Sequence, residues 1–547
     1  MPAPTTPSGI ARRDAFDALT RETFDVLVVG GGITGAGVAR DAAMRGLRTA
    51  LVEKNDFASG TSSRSSRLVH GGVRYLEHGQ LRLVFESSHE RRTLARIAPH
   101  LVRPLAFTWP VYVGARVPQW KLAAGLTLYD VLAMFRNFAR HERLNVRGVL
   151  GREPKLRREL LLGGARYWDA RTDDARLTLA TVRSAITAGA VVVNHARVTA
   201  LSREGGRVAG ATVHDVLAAR DVAVRARVVV NAAGPWSDAV EQLAGEAAHV
   251  AVRASKGVHM SVPRARIGNE AALTLLAPTD GRVMFVLPAG DFAIVGTTDT
   301  FESVGPDEVR ASAADVDYLL EAANHFFPQA RLRRDDVVAA WAGLRPLAAT
   351  EANNNDPDDA SREHFVAERV PGLVSVTGGK LTTYRVMARD TVDAAQRSLG
   401  MRRVRSRTGE QPLAGGKIER LASEIGAATT LTRDPAVAER LVHAHGDEWR
   451  EVWRLAERDS ALAERVDPAR PYLVAELRYA VEQELAGTLG DLLIRRMPLA
   501  FETKDHGRGA ARRIALVVGR WLAWDDERVR AAVAEYDAEV ERMFSIG

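Results

Sequence analysis

The sequence predicts an α/β protein that opens on a parallel sheet and closes in an α-helical C-terminal domain. Three observations carry that expectation. Near the N-terminus, "FDVLVVGGGITGAGVARDAAMRGLRTALVEK" runs a short apolar strand into closely spaced glycines and a helix. About 200 residues later a second apolar strand ends in glycine and proline, in "ARVVVNAAGPWSD". Beyond residue 405 the composition shifts to helix-forming segments. At 547 residues the chain exceeds what one simple core fills, so two or three domains are expected.

Val26 to Val29 are continuously apolar, as a strand buried on both faces requires. Gly30, Gly32 and Gly35 then fit G-x-G-x-x-G, and Ala36 to Met44 continue in helix-forming residues. "RTALVE" supplies the next strand, ending at Glu53. This spacing reads as a dinucleotide site. Gly30 makes the tight turn, Gly32 lets the backbone approach a pyrophosphate, and Gly35 brings helix and strand together, with the helix N-terminus facing the phosphates. Glu53 can accept hydrogen bonds from the adenosine ribose. The fingerprint suits NAD and FAD alike, but no second G-x-G-x-x-G occurs, which argues against an enzyme carrying both. Val228 to Val230 form a strand that breaks at Ala233-Gly234-Pro235. That turn suits a large ligand threaded between distant segments, or an ordinary strand end.

With 46% hydrophobic and 26% charged residues the composition is that of a globular protein. A formal charge of +7 and a pI of about 9.7 would suit nucleic acid, anionic lipid or an anionic small molecule. The basic residues are spread and form no run of five or more, so no nucleic-acid partner is expected. The lack of cysteine excludes disulfides, thiolate metal sites, iron–sulfur clusters and cysteine nucleophiles. "MPAPTTPSGIARRDAFDALT" has no apolar h-region, and no stretch of about 18 apolar residues occurs. A cytoplasmic protein that can still touch a membrane is the expectation.

"LVHGGVRYLEHG", Leu68 to Gly79, crowds three glycines, two histidines, an arginine and a tyrosine into one short loop. His70, His78, His89 and His100 show no i, i+4 pairing with an acid of the kind a metal-binding helix presents, so no metal is expected. Helical apolar spacing at Leu81, Val84 and Phe85 leaves Arg91 and Arg92 on a solvated face.

Longer motifs resemble a known family. "GTSSRSSRLVHGGVRYLEHGQLRLVFESSHER", "YWDARTDDARLTLA", "VVNAAGPWSD", "KGVHM", "IVGTTDT", "WAGLRPL" and "TGGKLTTYRVMA" are similar, and in the same order, to motifs of the respiratory FAD-dependent glycerol-3-phosphate dehydrogenases. The resemblance covers nearly the whole chain. It implies FAD as cofactor, a glutathione-reductase-like FAD-binding domain, a substrate domain on an antiparallel sheet, and an added α-helical C-terminal domain. On that pattern residues 1–20 are an N-terminal tail, 21–405 the oxidoreductase unit and 406–547 the helical domain. FAD-binding parts fall at about 21–100, 165–245 and 340–400, and substrate parts at about 101–164 and 246–339. The implied reaction is oxidation of sn-glycerol 3-phosphate to dihydroxyacetone phosphate by hydride transfer to FAD, with a quinone receiving the electrons. A glycerol-3-phosphate oxidase using O2 and producing H2O2 is the alternative. An amine or amino-acid oxidase and a flavin-bound sensor without turnover are more distant readings.

Removing hydride from a secondary alcohol requires a C–H held over the flavin, a base for the hydroxyl proton and a grip on the remaining substrate. A phosphate grip uses arginine forks, lysine and hydroxyl donors. The resemblance assigns Arg74 and Tyr75 to the substrate phosphate, with Lys256, Lys380, Thr382 and Arg362 completing an anion cage. His70 is the expected base, since an imidazole of pKa about 6.5 can take a proton near neutrality. The resemblance places Arg345, in a turn between Gly343 and Pro346, beside the reacting oxygen, where it would stabilise the developing alkoxide, because a guanidinium stays protonated. Gly71 and Gly72 give the backbone room beside the isoalloxazine. Thr61 and Ser62 resemble residues that contact the FAD phosphates and ribityl chain, and Gly234 belongs to the second cofactor turn. Gly378, Gly379, Lys380 and Leu381 open a helix whose positive end, on the resemblance, would lie against the flavin. Asp173 and Asp174 read as a helix N-cap and first-turn acid.

A quinone acceptor implies a position at the bilayer. "VPQWKLAAGLTLYDVLAMFRNFARHER" mixes Trp120, Tyr129, Phe135 and Phe138 with Lys121, Arg136 and Arg140, as an interfacial helix does, although a helix packed on the substrate domain would read the same. Peripheral attachment to the inner face of the cell membrane is the resulting expectation. "RVRSRTGEQPLAGGK" reads as a linker. Helices are expected over Pro435 to His443, with Asp434 as N-cap, around Leu473 to Leu485, and over Glu527 to Phe544. "ELRYAVEQELAGTLGDLLIRRM" shows no chemistry and reads as scaffold or homodimer surface.

Overall fold

The computed structural model describes residues 7–77, 79–245, 252–301, 304–348 and 363–547. Two sheets and a helical domain organise them. In the first sheet Thr23–Val29 lies parallel to Thr49–Val52 on one side and to Arg220–Asn231 on the other. Val191–Val193 and Leu373–Gly378 extend the parallel order outwards. Val26, Val28, Leu51, Val228 and Val230 are fully buried, at 0% exposure, which is why these strands read as unbroken apolar runs. Helices Ile33–Met44, Asp174–Thr187 and Tyr384–Ser398 pack on one face. The other face meets Phe16 and Leu19 of the helix Pro7–Arg21 and an antiparallel meander of Ala196–Glu204 and Arg207–Asp215. The strand expected at Val228 to Val230 is the buried end of Arg220–Asn231. Its first half pairs with the meander and alternates buried with exposed residues, so no apolar run marks it.

The second sheet is antiparallel apart from one parallel pair among the described strands, Ala272–Leu276 with Arg103–Tyr112. Val252–Pro263 is its axis, hydrogen-bonded to Phe292–Gly296 on one side and to Ala339–Ala348 on the other. From there the sheet continues through Val283–Ala289 to Leu161–Arg171 and Leu68–Val69, which carries the opening of the histidine loop. Leu161–Arg171 and Ala339–Ala348, most of whose residues fall in segments expected to bind the cofactor, are strands of this sheet. Arg345 is accordingly a strand residue opposite Ser255, and the expectation of a turn there is corrected. Gly343 and Pro346 look like turn signals, but an edge strand tolerates a proline because its outward N–H has no partner to lose.

The expected C-terminal helices appear as Pro435–His445, Val474–Gln483 and Asp526–Phe544, and Asp434 accepts from the Ala436 and Val437 amides. The linker is tied down: Arg40 donates to the carbonyls of Thr408 (3.0 Å) and Gln411 (2.8 Å). Trp341 of the second sheet meets Phe501 edge-on at 5.1 Å, and Phe501 meets Phe544 at 5.0 Å. The helical domain and the second sheet therefore share one apolar core.

Candidate active site

A cavity of ≈ 690 Å³ runs between the glycine turns of the first sheet and the second sheet. At its nucleotide end Gly30 has φ +110°, and a Cβ there would lie 2.6 Å from the Ala232 carbonyl oxygen. Only glycine fits that turn. Gly30 and Gly32 line the cavity; Gly35 instead packs helix on strand, its Cβ position being 1.9 Å from the Gly30 oxygen. The buried Glu53 carboxylate lines the cavity and accepts the amides of Gly31 (2.6 Å) and Asn55 (2.9 Å). Burial pushes its pKa up against the pull of those amides. Ser62 accepts the Ile33 amide at 2.9 Å in the first helical turn, and Thr61 donates to the Leu344 carbonyl at 2.6 Å, so both join cofactor turn to neighbouring elements while lining the cavity. Gly234, at φ +57°, forms the opposite wall with Trp236. The Trp236 indole donates to Asp307 at 3.1 Å and carries Lys54 over its ring at 4.1 Å. Sequence reading missed this trio because its members come from three distant segments.

The other end gathers the expected phosphate and proton groups. Lys380 lies 4.0 Å from the Tyr75 ring centroid and Arg74 5.0 Å from it. Lys380 also donates to Ser87 at 3.2 Å. The half-buried His70 ring stacks 6.4 Å from Tyr75, at 19°. Its backbone is held by Thr382, whose hydroxyl accepts the His70 amide at 3.2 Å and donates to its carbonyl at 3.3 Å. Burial first, then the charges of Lys380, Arg74 and Arg91, push the His70 imidazole down to about 3. The ordinary value near 6.5 expected from sequence does not hold beside these groups. Gly379, at φ +82°, and Leu381 line the cavity beside these groups.

Arg345 reaches the same cavity from the second sheet, pinned by Asp299 (3.0 Å) and by Thr297 (3.0 Å). Next to it His259 hydrogen-bonds Ser66 at 2.8 Å and stacks on Trp341 at 5.7 Å and 13°. Burial and the Arg345 charge push His259 down to about 3 as well. Both His259 and Ser66 line the cavity. The motif "KGVHM" was the one signal that could have found this histidine, and its spacing alone gives it no role.

Several sequence-based expectations are corrected. Lys256 is not among the cavity-lining residues; its ammonium pairs with Asp315 at 3.1 Å, the acid of the Ser312 capping box. Gly71 lies behind the loop rather than along the cavity: a Cβ there would come 2.2 Å from the Tyr129 hydroxyl, and its amide donates to Asp169 at 3.0 Å. Arg91 is not solvated. It is 1% exposed and donates to both Asp169 and Tyr129, drawn inward by a buried carboxylate that helical periodicity cannot reveal. Asp173 caps its helix through the Arg176 amide (3.0 Å), and Asp174 accepts from Ser65, so both are structural as expected. Arg362 and His78 lie outside the described residues.

The donor set fits FAD: a glycine turn at a helix start, a buried acid at ribose distance in sequence, and a second glycine turn facing the first across one long cavity. The fold and site define an FAD-dependent oxidoreductase. Residues 25–385 match the family described as FAD dependent oxidoreductase, and residues 406–529 match the C-terminal domain of alpha-glycerophosphate oxidase. Glycerol-3-phosphate dehydrogenase of Mycobacterium leprae is 41% identical over 97% of this chain and 90% of its own. Mitochondrial glycerol-3-phosphate dehydrogenase of Homo sapiens is 38% identical, over 92% of this chain and 71% of its own. The X-ray structure of the Bacillus halodurans glycerol-3-phosphate dehydrogenase complexed with FAD superposes with a TM-score of 0.82 at 32% identity, covering 98% of each chain. The chain belongs to the family of FAD-dependent glycerol-3-phosphate dehydrogenases.

Proposed function

We propose that this cavity oxidises sn-glycerol 3-phosphate to dihydroxyacetone phosphate and that the electrons pass to a quinone. The observation that carries the reading is the convergence, in one cavity, of two cations around Tyr75 with a neutral imidazole and a pinned guanidinium. FAD, when bound, supplies the acceptor for the C2 hydride. Arg74 and Lys380 receive the phosphate, the first as a fork and the second as a point charge. Arg345 is held in place by Asp299 and Thr297, so it can face an alkoxide developing at O2 without reorganising. His70 is uncharged and keeps a lone pair for the hydroxyl proton, which passes to it or to water. A phosphate dianion beside Lys380 and Arg74 offsets two of the charges that depress the imidazole, so substrate binding strengthens the base.

The quinone reading is supported by the helix Gln119–Leu132 and the turn after it. Leu122, Leu126 and Tyr129 are buried against the fold, while Trp120 (74% exposed), Leu128, Val131, Met134 and Phe135 (58%) face outwards among Lys121, Arg136 and Arg140. That face suits the headgroup region of the inner leaflet. Among the described residues no helix is long and apolar enough to cross a membrane.

The test is the visible spectrum of the FAD-loaded protein under anaerobic conditions. Glycerol 3-phosphate is expected to bleach the flavin, and glycerol or amino acids are not; a flavin indifferent to glycerol 3-phosphate would remove the substrate assignment. Reoxidation by a short-chain quinone is expected to outpace reoxidation by O2, whereas fast peroxide formation would favour the oxidase.

A further inference from the structure

We infer that the C-terminal helical domain completes the cofactor site: Arg495 and Arg496 grip Asp56 and so set the loop that receives the adenosine end of FAD. The loop leaves the strand Thr49–Val52 at Glu53, whose carboxylate lines the cavity. Three residues on, Asp56 points the other way and is fully buried, at 0% exposure. Its carboxylate accepts Arg495 Nε at 2.5 Å, both terminal nitrogens of Arg496, one at 3.0 Å, and the Asn194 amide at 3.0 Å.

The two arginines end the segment Asp491–Arg496, which is wound as a π-helix. Its wider turn lets two consecutive side chains reach one carboxylate, and such turns recur at functional sites. The arginines are anchored in their own domain, Arg496 to the Glu484 carbonyl (2.6 Å) and Arg495 to Glu539 (2.6 Å) and Asp491 (2.9 Å). The backbone of the loop is held from the same side. His195, at φ +48°, gives its amide to the Asn55 carbonyl at 2.6 Å while its ring binds Asp491 at 3.0 Å, and the Ala196 amide reaches the Glu53 carbonyl at 2.7 Å. Cofactor loop and helical domain are thus joined directly by side chains, and also through His195, whose main chain holds the loop and whose ring holds Asp491.

An apolar contact would join two domains at least as strongly, because a buried ion pair gains little over a hydrophobic replacement. What the charged arrangement adds is a fixed position for the loop. Ligand atoms of Asp56, His195 and Asp491 lie within 4.8 Å of one another, a spacing that could also hold a metal ion. Arg495 and Arg496 already supply the positive charge to Asp56, so the cluster reads as a clamp.

The inference rests on the cavity being the FAD site, and titrating the apoprotein with FAD and with FMN, which lacks the adenosine, separates the two claims. For Arg496→Met the FAD Kd is expected to rise about tenfold or more, with the FMN Kd unchanged. Equal weakening of both flavins, or of neither, would overturn the clamp. Should the variant not fold, hydrogen exchange of the unsubstituted chain decides: FAD, unlike FMN, is expected to slow exchange at residues 491–497, and no difference between the flavins overturns it. Failure of the unsubstituted chain to bind FAD would instead overturn the cofactor assignment.

Discussion

His70 and Arg74 stand four residues apart on one loop and are expected to separate chemistry from binding. His70→Ala removes the proton acceptor, so anaerobic flavin reduction should slow by about 10²-fold or more with substrate affinity largely kept. Arg74→Ala removes a charge-assisted hydrogen bond worth about 1.5–3 kcal/mol, so the substrate Kd should rise by roughly 10- to 100-fold. Stopped-flow reduction over a range of glycerol 3-phosphate concentrations distinguishes the two, and a pure affinity loss in His70→Ala would sink its role as base. The depressed imidazole gives a second expectation. In the protein without flavin or substrate, the His70 resonance should not titrate between about pH 5 and 8, because burial and the charges of Lys380, Arg74 and Arg91 push it down to about 3. A histidine NMR titration, assigned with the same variant, checks this; a midpoint near 6.5 would contradict it.

At the scale of elements, the glycine turns and the helix Ile33–Met44 were legible because their signals are contiguous: strand, tight turn and helix follow one another within a few residues. Ala339–Ala348 was not, since its glycine and proline mimic a turn and only pairing with Val252–Pro263 reveals a strand. The helix Gln119–Leu132 was legible as an apolar helix ringed by aromatics and cations, but which face is exposed depends on packing against Leu161–Arg171 and Leu81–Ile97. Its exposed face carries a prediction. Replacing Trp120 and Phe135 together by glutamate should abolish cosedimentation with anionic vesicles while leaving anaerobic bleaching by glycerol 3-phosphate intact. Vesicle binding unchanged by the double replacement would place the membrane contact elsewhere.

The whole molecule sets how stability depends on pH. His100 is 1% exposed where the helical domain meets the oxidoreductase unit, and burial together with Arg176 pushes it down to about 3. In the unfolded chain an imidazole titrates near about 6.5. Below that value the unfolded state takes a proton that the folded state refuses, so the stabilisation is full above about pH 6.5 and falls as pH drops towards 3, by about 1.4 kcal/mol per pH unit. Thermal unfolding of the holoprotein between about pH 7 and 5 should show the loss, and His100→Gln should flatten it; an unchanged slope would show that other groups govern the acid limb.

The sequence by itself determined the dinucleotide turn, the acid at Glu53, the loop that carries His70 and Arg74, and the helical character of the C-terminal domain. Each is written in neighbouring residues, where backbone geometry and periodicity act. Only the tertiary structure decided that Lys256 serves Asp315, that Arg91 is buried, that His259 faces the cavity and that Arg496 reaches Asp56. Burial and Coulomb interactions depend on distance in space, and these partners lie tens to hundreds of residues apart along the chain.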